Sequence, residues 1–197
     1  MQKQQQKRAP CGHRTCGYIL SKIGHKKKCG VGAVIYNNYY DRKTGSLTPS
    51  FLLGKERGGS YKGMYNLLAG GLEHSDCGCF IKGIIREINQ EGKLGIKFGK
   101  DFDRKFRSQK TGRIRVLIHN GTPIFIGYLN GISRRPLNQK IKQCNQNRNL
   151  PWCEREMDCV DWFKLSDCSQ LEGKRCKVSS FASGVIKRIN KIGINNF

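Results

Sequence analysis

The sequence predicts an α/β or α+β sandwich preceded by a basic arm. Three observations carry this. Short apolar runs of strand character recur along the chain, separated by Gly-, Asn- and Asp-bearing turns. At Phe80 the apolar spacing changes to that of a helix, with Phe80, Ile81, Ile84, Ile85 and Ile88 on one stripe. A second helical stripe lies far downstream, so strands and helices interleave. A length of 197 residues, 37 % of them hydrophobic, suits one domain of ordinary size with a short appendage.

The arm spans residues 1–28, and the main domain spans 29–197. Residues 1–30 hold eight Lys or Arg and no acid. They contain "CGHRTCGYILSKIGHKKKC", which spaces Cys11, Cys16, His25 and Cys29 as x4, x8 and x3. Four soft or borderline donors can close a tetrahedral Zn2+ site and stabilise a segment too short to fold alone. His13 is a competing donor, and a basic arm with unrelated thiols is the other open reading. The ten cysteines follow a polar N-terminus without an apolar leader. That combination points to reduced thiols or metal ligands in an intracellular protein, cytoplasmic or virion-associated and not secreted.

In the main domain, "VGAVIYN" (31–37) and "FLLGKE" (51–56) read as strands joined by a polar hairpin with an Asp-Arg-Lys-Thr-Gly turn. "YNLLAG" (65–70) is a third strand and ends in a glycine pair. The helix from Phe80 ends near Gly92 and Lys93, with Glu87 and Glu91 one turn apart beside its apolar stripe. "LGIKF" (94–98), "RIRVLIHN" (113–120) and "TPIFIGYLNGI" (122–132) read as further strands, with a basic loop over 103–115. Residues 133–151 form a polar connection, longer than a structureless loop normally runs. The last helix is capped by Ser179 or Ser180 and buries Phe181, Val185, Ile189 and Ile192.

Charge restricts the function class. Lys and Arg number 37 against 14 Asp and Glu, a formal +23. A small soluble domain usually carries a net charge of magnitude about 2–8. The excess points to a polyanionic partner, because neutralising phosphates releases condensed counterions. Lys26, Lys27 and Lys28 in the arm, and Arg104, Lys105, Arg107, Lys110 and Arg113 in the loop, are the candidate phosphate contacts. No apolar run approaches the roughly 20 residues needed to span a bilayer.

The stretch "AGGLE…REINQEGKL" resembles the signature of the Nudix hydrolases, Gly-x5-Glu-x7-Arg-Glu-U-x-Glu-Glu-x-Gly-U with U apolar. "GAVIYN", "FLLGKER" and "YNLLAGG" follow the family's strand order, and "MDCVDWFKLSD" resembles the segment before its last helix. The resemblance covers about residues 28–194. It implies an α/β fold, an α/β/α sandwich with a mixed sheet, and hydrolysis of a nucleoside diphosphate linked to another group. Mg2+ or Mn2+ is the implied cofactor. The match places Arg86 and Glu87 at the Arg-Glu pair, Glu91 at the second paired glutamate, and the Gly71 carbonyl among the metal ligands. Gln90 stands where the first paired glutamate is expected, so it ligates only through a neutral carbonyl. Lys93 stands at the terminal glycine. Gly78 stands at the loop glutamate, with Asp76 and Glu73 as nearby substitutes. Glu154 and Glu156 are candidates for the later acidic ligand or general base. Some Nudix proteins of large DNA viruses remove mRNA caps, and the Lys-, Asn- and Ile-rich composition suits a low-GC source. Charge and resemblance together imply a nucleotide substrate attached to nucleic acid, RNA rather than DNA: a capped or polyphosphorylated 5′ end. The competing expectation is a weak or inactive Nudix-fold protein that binds or packages RNA or DNA.

Overall fold

The structure, a computed structural model, describes residues 11–24, 30–42, 45–165 and 178–197. His25, Lys26, Lys27, Lys28 and Cys29 lie outside the described residues. Seven strands form one mixed sheet. They are β1 (Gly30–Asp41), β2 (Ser46–Glu56), β3 (Tyr65–Asn66), β4 (Leu68–Gly71), β5 (Val116–His119), β6 (Thr122–Tyr128) and β7 (Met157–Lys164). The order is β3-β2-β1-β6-β5, with β4 also paired to β1 and β7 to β2. Strands β1 and β6 run parallel, with Ala33 opposite Phe125, and the other strand pairs are antiparallel.

Both faces of the sheet are covered. Successive residues of β1 are buried on opposite sides, Ala33 and Ile35 in one cluster and Val34 and Tyr36 in the other. The first cluster holds α1 (Arg14–Ile23), α2 (Phe80–Gly92), α3 (Lys100–Phe106) and α4 (Arg134–Gln146). The second holds α5 (Ser180–Ile192) through Ala182, Val185, Ile186 and Ile189. The result is an α/β/α sandwich. Helix α1, although inside the segment read as the arm, gives Cys16, Ile19 and Ile23 to the first cluster. Ser179 caps α5 by accepting from the Ala182 N–H at 3.1 Å. The buried face of α5 is turned from the expected one: Ile192 is exposed and Ile186 takes its place inside.

Three elements differ from the sequence reading. Residues 94–98 form no strand, because the Asn89 side chain takes both backbone groups of Ile96. Its Oδ1 accepts from the Ile96 N–H at 2.7 Å and its Nδ2 donates to the carbonyl at 2.8 Å. The basic loop begins inside helix α3, which Phe102 and Phe106 anchor by stacking four residues apart, ring centroids 4.4 Å apart. The polar connection contains α4, which buries only Leu137 and Ile141. Ser133 caps it at the Arg135 N–H. Its helical stripe is two residues wide, and the polar face concealed it.

Candidate active site

Strand β4 sets one wall of the site. Its pairing with β1, Val31 opposite Gly70, places the Gly70–Gly71 backbone under the outer face of α2. A Cβ at Gly70 would stand 2.3 Å from Glu87 Oε1 and 2.6 Å from Oε2. The carboxylate of Glu87 therefore lies directly on the glycine, and only a glycine admits it there. One turn further, Glu91 Oε2 accepts from the Ala69 N–H at 2.8 Å. Helical spacing aims both acids at the same strand. Both residues are buried, Glu87 at 5 % and Glu91 at 2 % exposure.

Arg86 holds this arrangement together. Its Nη1 donates to Glu87 Oε1 at 2.7 Å and to Gln90 Oε1 at 3.1 Å. Its Nη2 donates to the Gly71 carbonyl at 2.7 Å and to Asp76 Oδ2 at 2.9 Å, and its Nε to Asp76 Oδ1 at 3.3 Å. Glu73 completes the set at 3.0 Å. Burial works against the guanidinium charge, but the bonds to Asp76 and the charge of Glu87 outweigh it and keep Arg86 cationic. The Asp76 contact is a bidentate fork, which fixes orientation as well as charge. Asp76 is itself buried and accepts from the Glu73 N–H at 2.8 Å. Its contact with Arg86 ties the loop after β4 to α2. The sequence carried the spacing Gly70-x5-Asp76, with two extra residues before Arg86, masked when Gly71 is taken as the first glycine.

The two later candidates separate. Glu154 accepts from Lys93 Nζ at 2.5 Å, so it ties the end of α2 to the turn Trp152–Glu154. Lys93 stands in the left-handed region, φ 53°, as expected where the signature has glycine. Glu156, by contrast, makes no ion pair with its side chain among the described residues. Its charge raises Glu87, Glu91 and also Glu56, at the end of β2. Four acids thus lie within electrostatic reach of one another, and Glu56 is the member the sequence reading missed. Its only sequence signal was an acid closing the apolar run "FLLGKE".

Burial and mutual charge raise the carboxyls of this cluster. Burial pushes Glu87 up to about 7, against the pull of Arg86. Burial, then the charges of Glu87 and Glu56, drive Glu91 well above the usual carboxylate range. Burial also raises Glu56 and Glu156. A set of oxygen donors that resist ionising without a counter-charge suits a hard divalent ion, Mg2+ or Mn2+. Glu87 and Glu91 would hold it, with Glu56 and Glu156 adding negative charge nearby. The Gly71 carbonyl and Gln90 Oε1, also expected as ligands, each accept from Arg86 here.

A pH dependence follows from Glu87. The unfolded chain ionises it above about 4.5, whereas the folded chain holds its proton to about 7. The folded state therefore binds more protons in that window, so ionisation costs stability as pH rises through it. Thermal melts in a chelator should show Tm falling from about pH 5 to about pH 7.5, and millimolar Mg2+ should remove most of that fall. A flat profile in chelator contradicts the buried-acid account.

Beside the acids lies a cationic and aromatic wall. Trp152 is half exposed, with the Arg57 and Arg155 guanidinium groups 5.8 and 5.9 Å from its ring. Arg155 Nε is buried without a hydrogen-bond partner among the described residues. The basic residues expected to meet phosphate lie elsewhere. Arg104 and Lys105 pair with Asp101, and Arg107 pairs with Asp103. Arg104, Arg107 and Lys110 line a cleft of about 410 Å³ with Tyr36 and Tyr128. Arg113 lines a neighbouring one of about 800 Å³ with His13 and Phe98. Tyr36 is five residues along β1 from Val31, about 17 Å, and belongs to the opposite face of the sheet. Of the expected zinc donors, Cys11 and Cys16 lie together, while His25 and Cys29 fall outside the described residues.

The layers and the site define a class: an α/β/α sandwich whose central helix lays two acids against a glycine-ended strand. This is the Nudix fold. The Nudix domain of NrtR from Shewanella oneidensis, solved with ADP ribose, aligns over 86 % of this chain and 90 % of its own, with a TM-score of 0.50 and 10 % identity. A MutT/Nudix family protein from Listeria innocua is similar over 84 % of this chain and 92 % of its own, with a TM-score of 0.44 and 12 % identity. No protein-family model and no curated protein matches the sequence. Among the described residues no helix is long and apolar enough to cross a membrane.

Proposed function

We propose that this protein is a metal-dependent hydrolase of a nucleoside-diphosphate linkage carried on RNA, a capped or polyphosphorylated 5′ end. The observation that carries the reading is the pair of buried acids laid on strand β4, Glu87 against Gly70 and Glu91 at the Ala69 N–H, with the charges of Glu56 and Glu156 acting on Glu91. Bound Mg2+ or Mn2+ would neutralise the pyrophosphate charge and lower the pKa of the attacking water. Arg86 fixes the Glu87 carboxylate on Gly70. Glu156 makes no ion pair among the described residues and is the group able to take the water proton. Arg155 and Arg57 offer guanidinium donors to phosphate oxygens, and Trp152 between them offers a face on which a base can stack. The NrtR domain of the same fold holds ADP ribose, a nucleoside diphosphate joined to a second group. The net charge of +23 and the clefts at Arg107 favour a polynucleotide over a free nucleotide.

One observation favours a second reading, a Nudix-fold nucleic-acid binder without turnover: Gln90 contributes no charge and is held by Arg86. A single comparison separates the two. The protein is incubated with Mg2+ and capped RNA, triphosphorylated RNA, free nucleotides or duplex DNA. Release of a nucleoside diphosphate or of pyrophosphate from RNA supports hydrolysis. Tight, salt-sensitive binding with no turnover of any substrate leaves the binder. Gly70→Ala offers a site-specific check. The new methyl group displaces the Glu87 carboxylate by about 1 Å, and a misplacement of that size costs roughly a hundredfold in rate. Gly71→Ala, where nothing lies within 4 Å of the added Cβ, should be far milder.

A further inference from the structure

We propose that Cys11, Cys16 and Cys79 bind a zinc ion through their thiolates, fastening the N-terminal helix to the first turn of the helix that carries Glu87 and Glu91. The site is separate from the four acids, and it uses a cysteine from the main domain rather than from the arm alone. The three sulfurs all lie within 4.8 Å of one another, and Cys16 Sγ is 3.9 Å from Cys79 Sγ. A Zn–S bond is about 2.3 Å, so two sulfurs on one tetrahedral ion stand about 3.8 Å apart. All three thiols are free, and Cys16 and Cys79 are fully buried. The Cys16–Cys79 pair thus stands at zinc spacing without a disulfide, with Cys11 within 4.8 Å of both.

The surroundings suit thiolates. Cys79 is the N-cap of α2, at the positive end of that helix. Neither α1 nor α2 has an acid in its first turn. His13, the nearest imidazole in sequence to Cys11, is turned away and meets the Phe98 ring edge-on, centroids 5.3 Å apart. Three protein thiolates and one water or further donor complete the coordination.

The placement explains the altered loop. The signature is two residues longer here between Asp76 and Arg86, and Cys79 lies in that lengthened stretch. An ion there closes a loop of more than sixty residues between Cys16 and Cys79. It fixes where α2 begins, and Glu87 follows two turns later on the same helix. The bland alternative is three thiols packed as small apolar groups.

Metal content decides, independently of any hydrolase assay. The full chain is purified under reducing conditions and its zinc measured by elemental analysis. About one zinc per chain is expected in the parent protein and in Cys77→Ser and Cys144→Ser, and close to none in Cys16→Ser and Cys79→Ser. Absence of zinc from parent protein purified from zinc-supplemented cells overturns the site. So does a full equivalent retained in Cys79→Ser, which assigns the ion to the arm alone. Because Cys79→Ser can fail to fold, alkylation of the parent protein gives a second reading. Cys11, Cys16 and Cys79 should be protected together and become reactive together on chelation. Release of Cys11 and Cys16 with Cys79 unchanged by the chelator rejects the proposal.

Discussion

Glu87→Gln and Glu91→Gln should each lower turnover by about a thousandfold while making the metal-free protein more stable at neutral pH. The rate loss follows from removing a charged ligand of a divalent ion, whose contribution to the transition state is several kcal/mol. The gain in stability follows from burial. Both carboxyls are driven above the usual range because ionising them in the folded state is costly. Glutamine removes that charge, and at position 91 it keeps an oxygen for the Ala69 N–H. A gain of about 1–2 kcal/mol is the scale seen when a strained functional site is relaxed. Turnover and chelator-treated melts at pH 7.5 check both halves. If either variant loses stability and keeps its rate, the acids serve the fold alone. Gln90→Glu is the converse: it adds a third acid to α2 and should raise turnover at the expense of metal-free stability.

The second large effect is on the fold. Arg86→Met should destabilise the protein by about 3–5 kcal/mol, because it leaves buried carboxylates without their counter-charge. Arg86 is the common partner of Asp76, Glu87, Glu73 and the Gly71 carbonyl. Asp76 and Glu87 are nearly inaccessible, so water cannot replace it. For a chain of this length, that corresponds to roughly 10 °C in Tm. Urea titration at pH 7.5 gives the free energy directly. Arg86→Lys should recover only part of the loss, since an ammonium cannot make the two-pronged contact to Asp76. A loss below 1 kcal/mol for Arg86→Met means that the network is solvent-screened. Repeating the titration at about pH 5 should shrink the effect, because Glu87 is then protonated and needs no partner.

The sequence was most legible where local periodicity and burial agree. Helix α2 runs from Phe80 to Gly92, as its stripe and its glycine end imply. The cap at Ser179 is likewise a local signal. Strands β1 and β2 run longer than their apolar cores, because their polar halves pair with each other from Ile35 opposite Leu52 to Asp41 opposite Ser46. Helices α3 and α4 were hidden because each buries only two side chains, Phe102 with Phe106 and Leu137 with Ile141. A stripe that narrow is weak against a charged background.

The site shows the same division. Arg86, Glu87 and Glu91 could be placed on one helix after a glycine pair from their spacing, because spacing along a helix fixes which residues share a face. The excess of positive charge is likewise read from the sequence. Only the tertiary structure decided which acids from other segments meet them. Glu56 ends β2 and Glu156 stands just before β7, and Glu154 is drawn to Lys93 instead. Asp76 reaches Arg86 across a lengthened loop. Cys79 joins Cys11 and Cys16 across more than sixty residues, leaving the arm's own spacing an incomplete guide. The physical reason is that a helix carries its geometry in the chain, whereas contacts between distant segments depend on strand pairing and on which buried charge finds a partner first.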